Sequence, residues 1–363
     1  MVLSNTPDVS SIVKLAGMTF MQNQQTVGMS IGVIKDGKAY SFNFGWTDLS
    51  TKQPPTDRTR YAIGSISKTF TGLLLAQADL EKKASLEDDV RKYLAEDYPN
   101  LEFQGEPIRL WQLVNHTSGL PGNLPESTTA LFGPNFDFAR ASMQEQKSFD
   151  AYTTQAFLRD LHLVKLTRMP GPQFSYSNAA AQLLGIILEK IYGKPYDELV
   201  QAKIAGPLKM TATKAKLTKK EEARMPRAYS HDKPFLPALP TQLPAAGSIK
   251  STCADMLKYL AWQLKETDPA VLFSHRKTGN TVWDPNGNFY VGLNWQILKS
   301  ATQRNIFQDG NVPGFHCMIS FCPERKIGVV VLTNERVQER PAQLSPLVNQ
   351  ILKGLDPEVL LAP

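Results

Sequence analysis

The chain has 363 residues, enough for one large domain or two intertwined ones rather than a small disulfide-stapled module. Hydrophobic residues make up 42% and charged residues 20%, as in ordinary globular proteins, and no apolar run reaches the roughly 18 residues of a membrane-spanning helix. The net charge of +6 comes from lysines and arginines that are spread along the chain and mixed with acidic residues, which indicates a solvated surface rather than a nucleic-acid-binding one.

The cysteines and histidines form no recognisable framework. Cys317 and Cys322 lie on one predicted strand at an odd spacing, so they should point to opposite faces and form no disulfide. No His or Cys cluster has zinc spacing, so no metal is expected. The N-terminus shows no signal-peptide pattern. The protein is therefore expected to be cytoplasmic, or periplasmic or secreted if a leader was removed.

Strand patterns occupy both ends of the chain. Residues 27–46 hold two β-rich runs separated by Asp36-Gly37, which predicts a hairpin. Three further strand-like runs come late: 289–298, 314–324 and 326–335. A helical pattern closes the chain at 341–355.

The middle of the chain is rich in helix formers, prolines and loops. A helix is predicted after Ser65, and residues 177–204 read as two helices broken at Gly193. The order predicts an α+β fold, an α/β sandwich in which an antiparallel sheet assembled from both chain ends is flanked by helices. The predicted domains are a sheet domain (1–79 with 241–363) and a mostly helical one (80–240), with the active site at their junction.

Ser65 and Lys68 form an S-x-x-K motif at the start of the predicted helix. A hydroxyl at a helix N-terminus faces unpaired backbone N–H groups, which favour a developing anion. A lysine three residues later lies on the same helical face, and desolvation lowers its pKa so that it can accept the serine proton. The pair predicts a nucleophile and its base.

Tyr176-Ser177-Asn178 opens a second helix. A tyrosine beside a lysine can shuttle a proton, and Asn178 could orient the lysine and a substrate amide. The alternative is an interface tyrosine followed by an N-capping asparagine.

Ser-x-x-Lys followed about 110 residues later by Tyr-x-Asn resembles the class C β-lactamases and their relatives, the penicillin-binding DD-peptidases, D-amino-acid amidases and β-lactamase-like carboxylesterases. The resemblance extends over about residues 25–335. Further family-like stretches occur in the same order along the chain: 108–122, 193–213, 245–260 and 291–295, the last similar to a glycine-rich strand. The resemblance implies a β-lactamase/transpeptidase-like fold, an acyl-enzyme on Ser65, no cofactor, and a small ester, amide or β-lactam as substrate.

The third motif of this family is usually Lys-Thr-Gly or His-x-Gly, and its position here holds Gln308-Asp309-Gly310. The resemblance implies that the backbone N–H of Asn311 completes an oxyanion hole with that of Ser65. A Lys-Thr-Gly at 277–279 precedes the glycine-rich stretch and is interpreted as coincidental. The motif lysine binds a substrate carboxylate, so its loss favours neutral esters or amides.

Arg304 or Arg336 could replace the missing cation. The esterase or amidase interpretation stands first, a class C-type β-lactamase or D-alanyl-D-alanine carboxypeptidase second, and a low-turnover penicillin-binding or sensor domain third. The natural substrate and the oligomeric state are not predicted.

Ser30, His116 and His316 are further candidates for a catalytic role. Ser30 matches G-x-S-x-G, but its surroundings alternate like a strand, so it is predicted to be a strand residue. His116 and His316 lie near motif segments without a recognisable acid partner and are predicted to be structural, although His316 could line the pocket. Residues 125–152 are expected to shape the pocket.

Overall fold

The computed structural model describes residues 8–24, 26–126, 147–148, 151–230, 233–235, 243–276, 278, 287–334 and 344–363. Its helices are α1 (Val9–Gln24), α2 (Ser67–Leu80), α3 (Leu110–Val114), α4 (Thr154–Leu161), α5 (Asn178–Tyr192), α6 (Tyr196–Val200), α7 (Lys219–Glu222), α8 (Cys253–Lys265), α9 (Pro269–Ser274) and α10 (Leu344–Leu355). Within the described ranges, none of these helices is long and apolar enough to cross a bilayer.

The strands are short except at the two ends of the chain. They are β1 (Gly28–Lys35), β2 (Lys38–Gly45), β3 (Arg60–Ala62), β4 (Glu102–Phe103), β5 (Glu106–Pro107), β6 (Ala228–Ser230), β7 (Lys233–Phe235), β8 (Lys250–Thr252), β9 (Phe289–Val291), β10 (Gln296–Lys299), β11 (Arg304–Val312), β12 (Phe315–Cys322) and β13 (Ile327–Thr333).

Seven strands form one antiparallel sheet in the order β2-β1-β13-β12-β11-β10-β9. The predicted hairpin is confirmed, because Asp36 and Gly37 join β1 to β2 with φ values of 50° and 78°, as a tight hairpin turn requires. β1 then pairs with β13 from Met29 opposite Thr333 onward, so the two chain ends meet in the sheet. The predicted fold class is confirmed.

Helices cover both faces of the sheet, and β1 is therefore buried along nearly its whole length. α1 and α10 pack on one face, and α8 packs on the other. At Gly32 a Cβ atom would lie 2.9 Å from the Leu257 side chain of α8, so the helix approaches the strand closely because that residue is glycine. Cys317 and Cys322 belong to the cores on opposite faces and are both free thiols, as predicted.

The predicted strand over 289–298 is two antiparallel strands, β9 and β10, rather than one. The chain reverses between β9 and β10, where Gly292 N–H donates to the Trp295 carbonyl at 2.8 Å. Asn294 has a φ of 62°, a conformation that asparagine tolerates better than most residues. A Cβ on Gly292 would lie 2.4 Å from the Ser274 carbonyl oxygen, so the turn packs directly on the end of α9. Leu293 and Trp295 of the predicted strand therefore lie in a turn, whereas the residues on either side are in β9 and β10.

α2 runs through the larger core and positions the start of the candidate site. Its residues from Ser67 to Ala76 are buried. Thr71, a buried polar residue of this helix, is satisfied inside the core, because its Oγ1 donates to the Ala245 carbonyl oxygen at 2.8 Å. The predicted break between α5 and α6 is confirmed, because Gly193 ends α5 with a φ of 64°.

Candidate active site

Ser65 lies in a single 3₁₀ turn, Gly64–Ile66, that leads directly into α2. Gly64 has a φ of 52°, and a Cβ there would lie 2.6 Å from the Asn311 backbone nitrogen. On β11, a Cβ on Gly310 would lie 1.9 Å from the Ile63 carbonyl oxygen. Because Gly64 and Gly310 have no side chains, the backbone of the turn packs directly against the backbone of the strand. This contact places the Asn311 backbone beside the serine.

Lys68 lies one helical turn after Ser65 and is fully buried. Its Nζ is 3.0 Å from Ser65 Oγ and donates to the Ala246 carbonyl at 2.6 Å. Burial lowers the Lys68 pKa to about 7, against a smaller opposing effect of Asp309. A large fraction of this amine is therefore neutral at neutral pH and able to accept a proton.

Tyr176 completes the contacts of the serine hydroxyl. Its OH donates to Ser65 Oγ at 2.6 Å, and Lys68 Nζ lies 4.8 Å from the centre of its ring. Burial raises the Tyr176 pKa, with Asp309 adding to the rise and the Ser65 hydrogen bond opposing it. The phenol keeps its proton at neutral pH and can act as a donor.

His116 packs against Tyr176, with 4.4 Å between ring centres. Its Nδ1 accepts the Ser177 backbone N–H at 3.2 Å, so the proton of the neutral ring is on Nε2. Burial, together with the charge of Lys68, lowers its pKa to about 3. His116 is therefore neutral beside the buried amine. Sequence reasoning treated it as structural and missed its place in the pocket wall, although it lies in the family-like stretch 108–122.

No hydrogen bond joins Asn178 to Lys68 in the described structure, although Asn178 was expected to orient the lysine. Its Nδ2 donates to Asn123 Oδ1 at 2.9 Å. The carbonyl of Ala246 holds the amine instead. The N-cap of α5 is Ser177, whose Oγ accepts the Ala180 N–H at 2.9 Å. Asn178 nonetheless lines the pocket, so a contact with substrate remains a prediction.

The residues around Ser65 enclose a cavity of about 440 Å³. Its described lining consists of Ser65, His116, Phe174, Tyr176, Asn178, Val291, Asn294, Gln296, Gln308, Asp309 and Asn311. None of these lining residues is a lysine or arginine, and Asp309 is the carboxylate among them. The described residues also contain no group of three or more His, Cys, Asp or Glu side chains able to hold a metal.

Gln308 and Asp309 lie on β11. The Gln308 side chain is buried; its Nε2 donates to the Asn294 carbonyl at 2.9 Å, and its Oε1 accepts from Gln296 Nε2 at 2.9 Å. Both polar atoms of this side-chain amide are therefore hydrogen-bonded within the protein. Asp309 is exposed into the cavity, and desolvation raises its pKa against the opposing charge of Lys68.

Arg304 does not supply the missing cation. It forms ion pairs at 2.7 Å with Glu266 and with Glu324, at the start of β11, and is absent from the described pocket lining. Arg336, Lys277 and Gly279 lie outside the described residues. So do most of the residues in 125–152 that were expected to shape the pocket.

Ser30 and His316 lie on strands of the seven-stranded sheet. Ser30 is buried within β1, where its Oγ donates to Asn43 Oδ1 at 2.7 Å and lies 3.0 Å from Tyr61 Oη. Its prediction as a strand residue is confirmed. His316 is buried in β12 opposite Asn311 and is not among the described lining residues.

Comparisons with known proteins show the family of this chain. Residues 18–352 match the Beta-lactamase family model. The chain is 26% identical over 363 residues to a Beta-lactamase of Escherichia coli K12, covering 90% of this chain and 89% of that protein. It is 27% identical to Protein flp of Staphylococcus aureus N315, covering 92% of this chain but only 64% of flp.

Two solved structures share the fold. A β-lactamase/D-alanine carboxypeptidase from Yersinia pestis, complexed with citrate, aligns with a TM-score of 0.79 at 26% identity and covers 97% of this chain and 99% of its own. An octameric penicillin-binding protein homologue from Pyrococcus abyssi aligns with a TM-score of 0.77 at 27% identity, covering 98% of this chain and 79% of its own. The chain belongs to the beta-lactamase family and has the fold of its serine hydrolases.

Proposed function

We propose that this protein hydrolyses small esters or amides through an acyl-enzyme on Ser65. The observation that carries the proposal is the pair of contacts on Ser65 Oγ, with Lys68 Nζ at 3.0 Å and Tyr176 OH at 2.6 Å. One neighbour is an amine that is substantially neutral at pH 7, and the other is a phenol that keeps its proton. A base and an acid therefore meet on one hydroxyl.

In the proposed reaction neutral Lys68 takes the Ser65 proton as the oxygen attacks the carbonyl carbon. The backbone N–H groups of Ser65 and Asn311 stabilise the developing oxyanion, and the close approach of Gly64 to the Asn311 nitrogen supports this pairing. Tyr176 gives its proton to the leaving group and is reprotonated from Lys68. Water then hydrolyses the ester on Ser65, with the same groups acting in reverse.

The charge of the pocket supports neutral esters or amides as substrates over anionic β-lactams. A β-lactam or D-alanyl-D-alanine peptide carries a carboxylate, which a lysine would bind. At that position Gln308 is uncharged and already hydrogen-bonded, and Asp309 adds a negative charge.

A β-lactamase or D-alanyl-D-alanine carboxypeptidase is the second candidate, because the relatives from E. coli and Y. pestis carry those names. A penicillin-binding domain with little turnover is the third, since the P. abyssi neighbour is a penicillin-binding protein homologue.

Intact-mass spectrometry and product release separate these candidates. The protein is incubated in parallel with p-nitrophenyl butyrate and with a fluorescent penicillin. Steady ester turnover without a penicillin adduct supports the first, rapid β-lactam hydrolysis the second, and a lasting adduct without turnover the third. Ser65→Ala should abolish every signal, whereas Ser85→Ala, at an exposed site beyond α2, should leave all of them intact. Full activity in Ser65→Ala would remove the basis of the proposal.

A further inference from the structure

The Asp309 side chain lies in the cavity without an ion-pair partner among the described residues. It is exposed on β11 between two buried residues, Gln308 and Gly310. In the described part of the chain its carboxylate takes part in no ion pair. Desolvation raises the Asp309 pKa, and the positive charge of Lys68 lowers it. That amine is buried, however, and is hydrogen-bonded to Ser65 and to the Ala246 carbonyl.

The neighbours of Asp309 in the cavity favour a positive ligand. Phe174 and Tyr176 line the same cavity, and the Tyr176 ring already contacts Lys68 and His116, which leaves Phe174 as the aromatic partner for a ligand. The faces of aromatic rings attract cations, and ammonium groups are bound in other proteins by such rings together with a carboxylate. The described lining has no lysine or arginine that would compete for the carboxylate. A carboxylate without an ion pair among the described residues and the Phe174 side chain thus line the cavity that contains the serine.

We propose that Asp309 makes this pocket selective for substrates that carry an ammonium group near the scissile ester or amide bond. The inference rests on the proposed function, and it replaces a merely neutral substrate with a cationic one. Asp309 lies within β11 and its backbone N–H donates to Gln308 Oε1 at 3.2 Å, so the strand holds the backbone that carries this carboxylate.

Two pairs of esters test this selectivity, each matching a cation with a neutral molecule of the same shape. One pair is butyrylcholine and the ester in which a tert-butyl group replaces trimethylammonium, which puts the charge on the alcohol. The other is the p-nitrophenyl ester of γ-trimethylammoniobutyrate and its tert-butyl counterpart, which puts the charge on the acyl group. The kcat/KM of each ester is measured at pH 8 for the wild type, Asp309→Asn and Asp97→Asn. Asp97 is exposed outside the described pocket, so the control removes the same charge elsewhere.

We expect the wild type to prefer the cationic member of at least one pair by about 10-fold or more, as for a desolvated ion pair. Asp309→Asn should reduce that ratio to near unity, and Asp97→Asn should not change it. Equal kcat/KM within both pairs, or a preference that survives Asp309→Asn, would overturn the inference while leaving ester hydrolysis itself established.

Binding to Ser65→Ala separates this outcome from failure of the proposed function. If the wild type turns over none of the esters, calorimetric titration of that variant with choline and with its tert-butyl alcohol counterpart still measures the charge preference. Tighter binding of choline that disappears when Asp309→Asn is added upholds the inference. Equal binding of the two alcohols refutes it.

Discussion

The pH dependence of acylation is the sharpest consequence of the buried amine. A lysine with the ordinary pKa of about 10.4 is neutral in only about 0.04% of molecules at pH 7. Burial lowers the Lys68 pKa to about 7, so about half of the amines are neutral there. The structure thus supplies roughly 10³ times more base at pH 7 than an exposed lysine would.

The sign follows from the role of a base. The deprotonated amine is the active form, so kcat/KM for p-nitrophenyl butyrate should rise with pH through about 7 and level off above it. This ester is uncharged, so its own ionisation does not enter the profile. Asp309 raises the Lys68 pKa, and Asp309→Asn should therefore move the rising limb to lower pH. Asp97→Asn serves as the matched control and should leave it in place.

Stopped-flow release of p-nitrophenol, recorded from pH 5 to 10, measures this limb. Lys68→Met keeps the length of the side chain without the amine and should lower kcat/KM by about 10³-fold or more, with loss of the limb. A limb near pH 10 that is lost in Tyr176→Phe would mean that the phenolate is the base and would refute the reasoning. An unchanged profile in Lys68→Met would refute it as well.

Four further predictions follow from the same contacts. Tyr176→Phe should lower kcat about 10²- to 10⁴-fold without unfolding the protein, as steady-state kinetics and circular dichroism would show. Gly310→Ala should destabilise the fold by about 1–3 kcal/mol in urea, because its Cβ would meet the Ile63 carbonyl oxygen at 1.9 Å. Lys68→Met should raise stability by about 1–2 kcal/mol at pH 7, because burying an amine whose pKa is lowered to about 7 has its full cost below that pH and loses it as the pH rises toward about 10. Gln308→Lys should raise the rate of penicillin acylation, and more so with Asp309→Thr added; unchanged acylation in both variants would contradict the placement of the third motif.

Elements with a local signal were predictable from the sequence. The hairpin at Asp36-Gly37 and the apolar period after Ser65 were read correctly because turn chemistry and periodicity act over a few residues. The turn at Gly292 was missed, because its reason is the close approach of the Ser274 carbonyl, a contact that no local pattern reveals.

The candidate site divides in the same way. The S-x-x-K spacing places Lys68 beside Ser65 by helical geometry alone. Tyr176 lies 111 residues from the serine in the sequence. Its place in the site was predicted from the family resemblance and not from the residues next to it in the chain. The lysine donates to a backbone carbonyl, that of Ala246, where a hydrogen bond from Asn178 was expected. A main-chain acceptor leaves no trace in residue identity, so the sequence offered no signal for it.

In this pocket the position of the catalytic serine depends on backbone contacts, whereas the charge that a substrate meets depends on an exposed side chain. Ser65 and the strand beside it are fixed by backbone contacts that tolerate glycine alone at Gly64 and Gly310, so the reacting geometry can change little without loss of the fold. Asp309 sits one residue away, yet its exposed side chain has no ion-pair partner among the described residues. A substitution there alters the charge that the substrate meets while the serine, the amine and the phenol keep their positions. A substitution of the acidic residue at this position of the motif can therefore change the substrate class while the turn that contains Ser65 keeps its structure. Asp309→Asn should accordingly change specificity far more than stability.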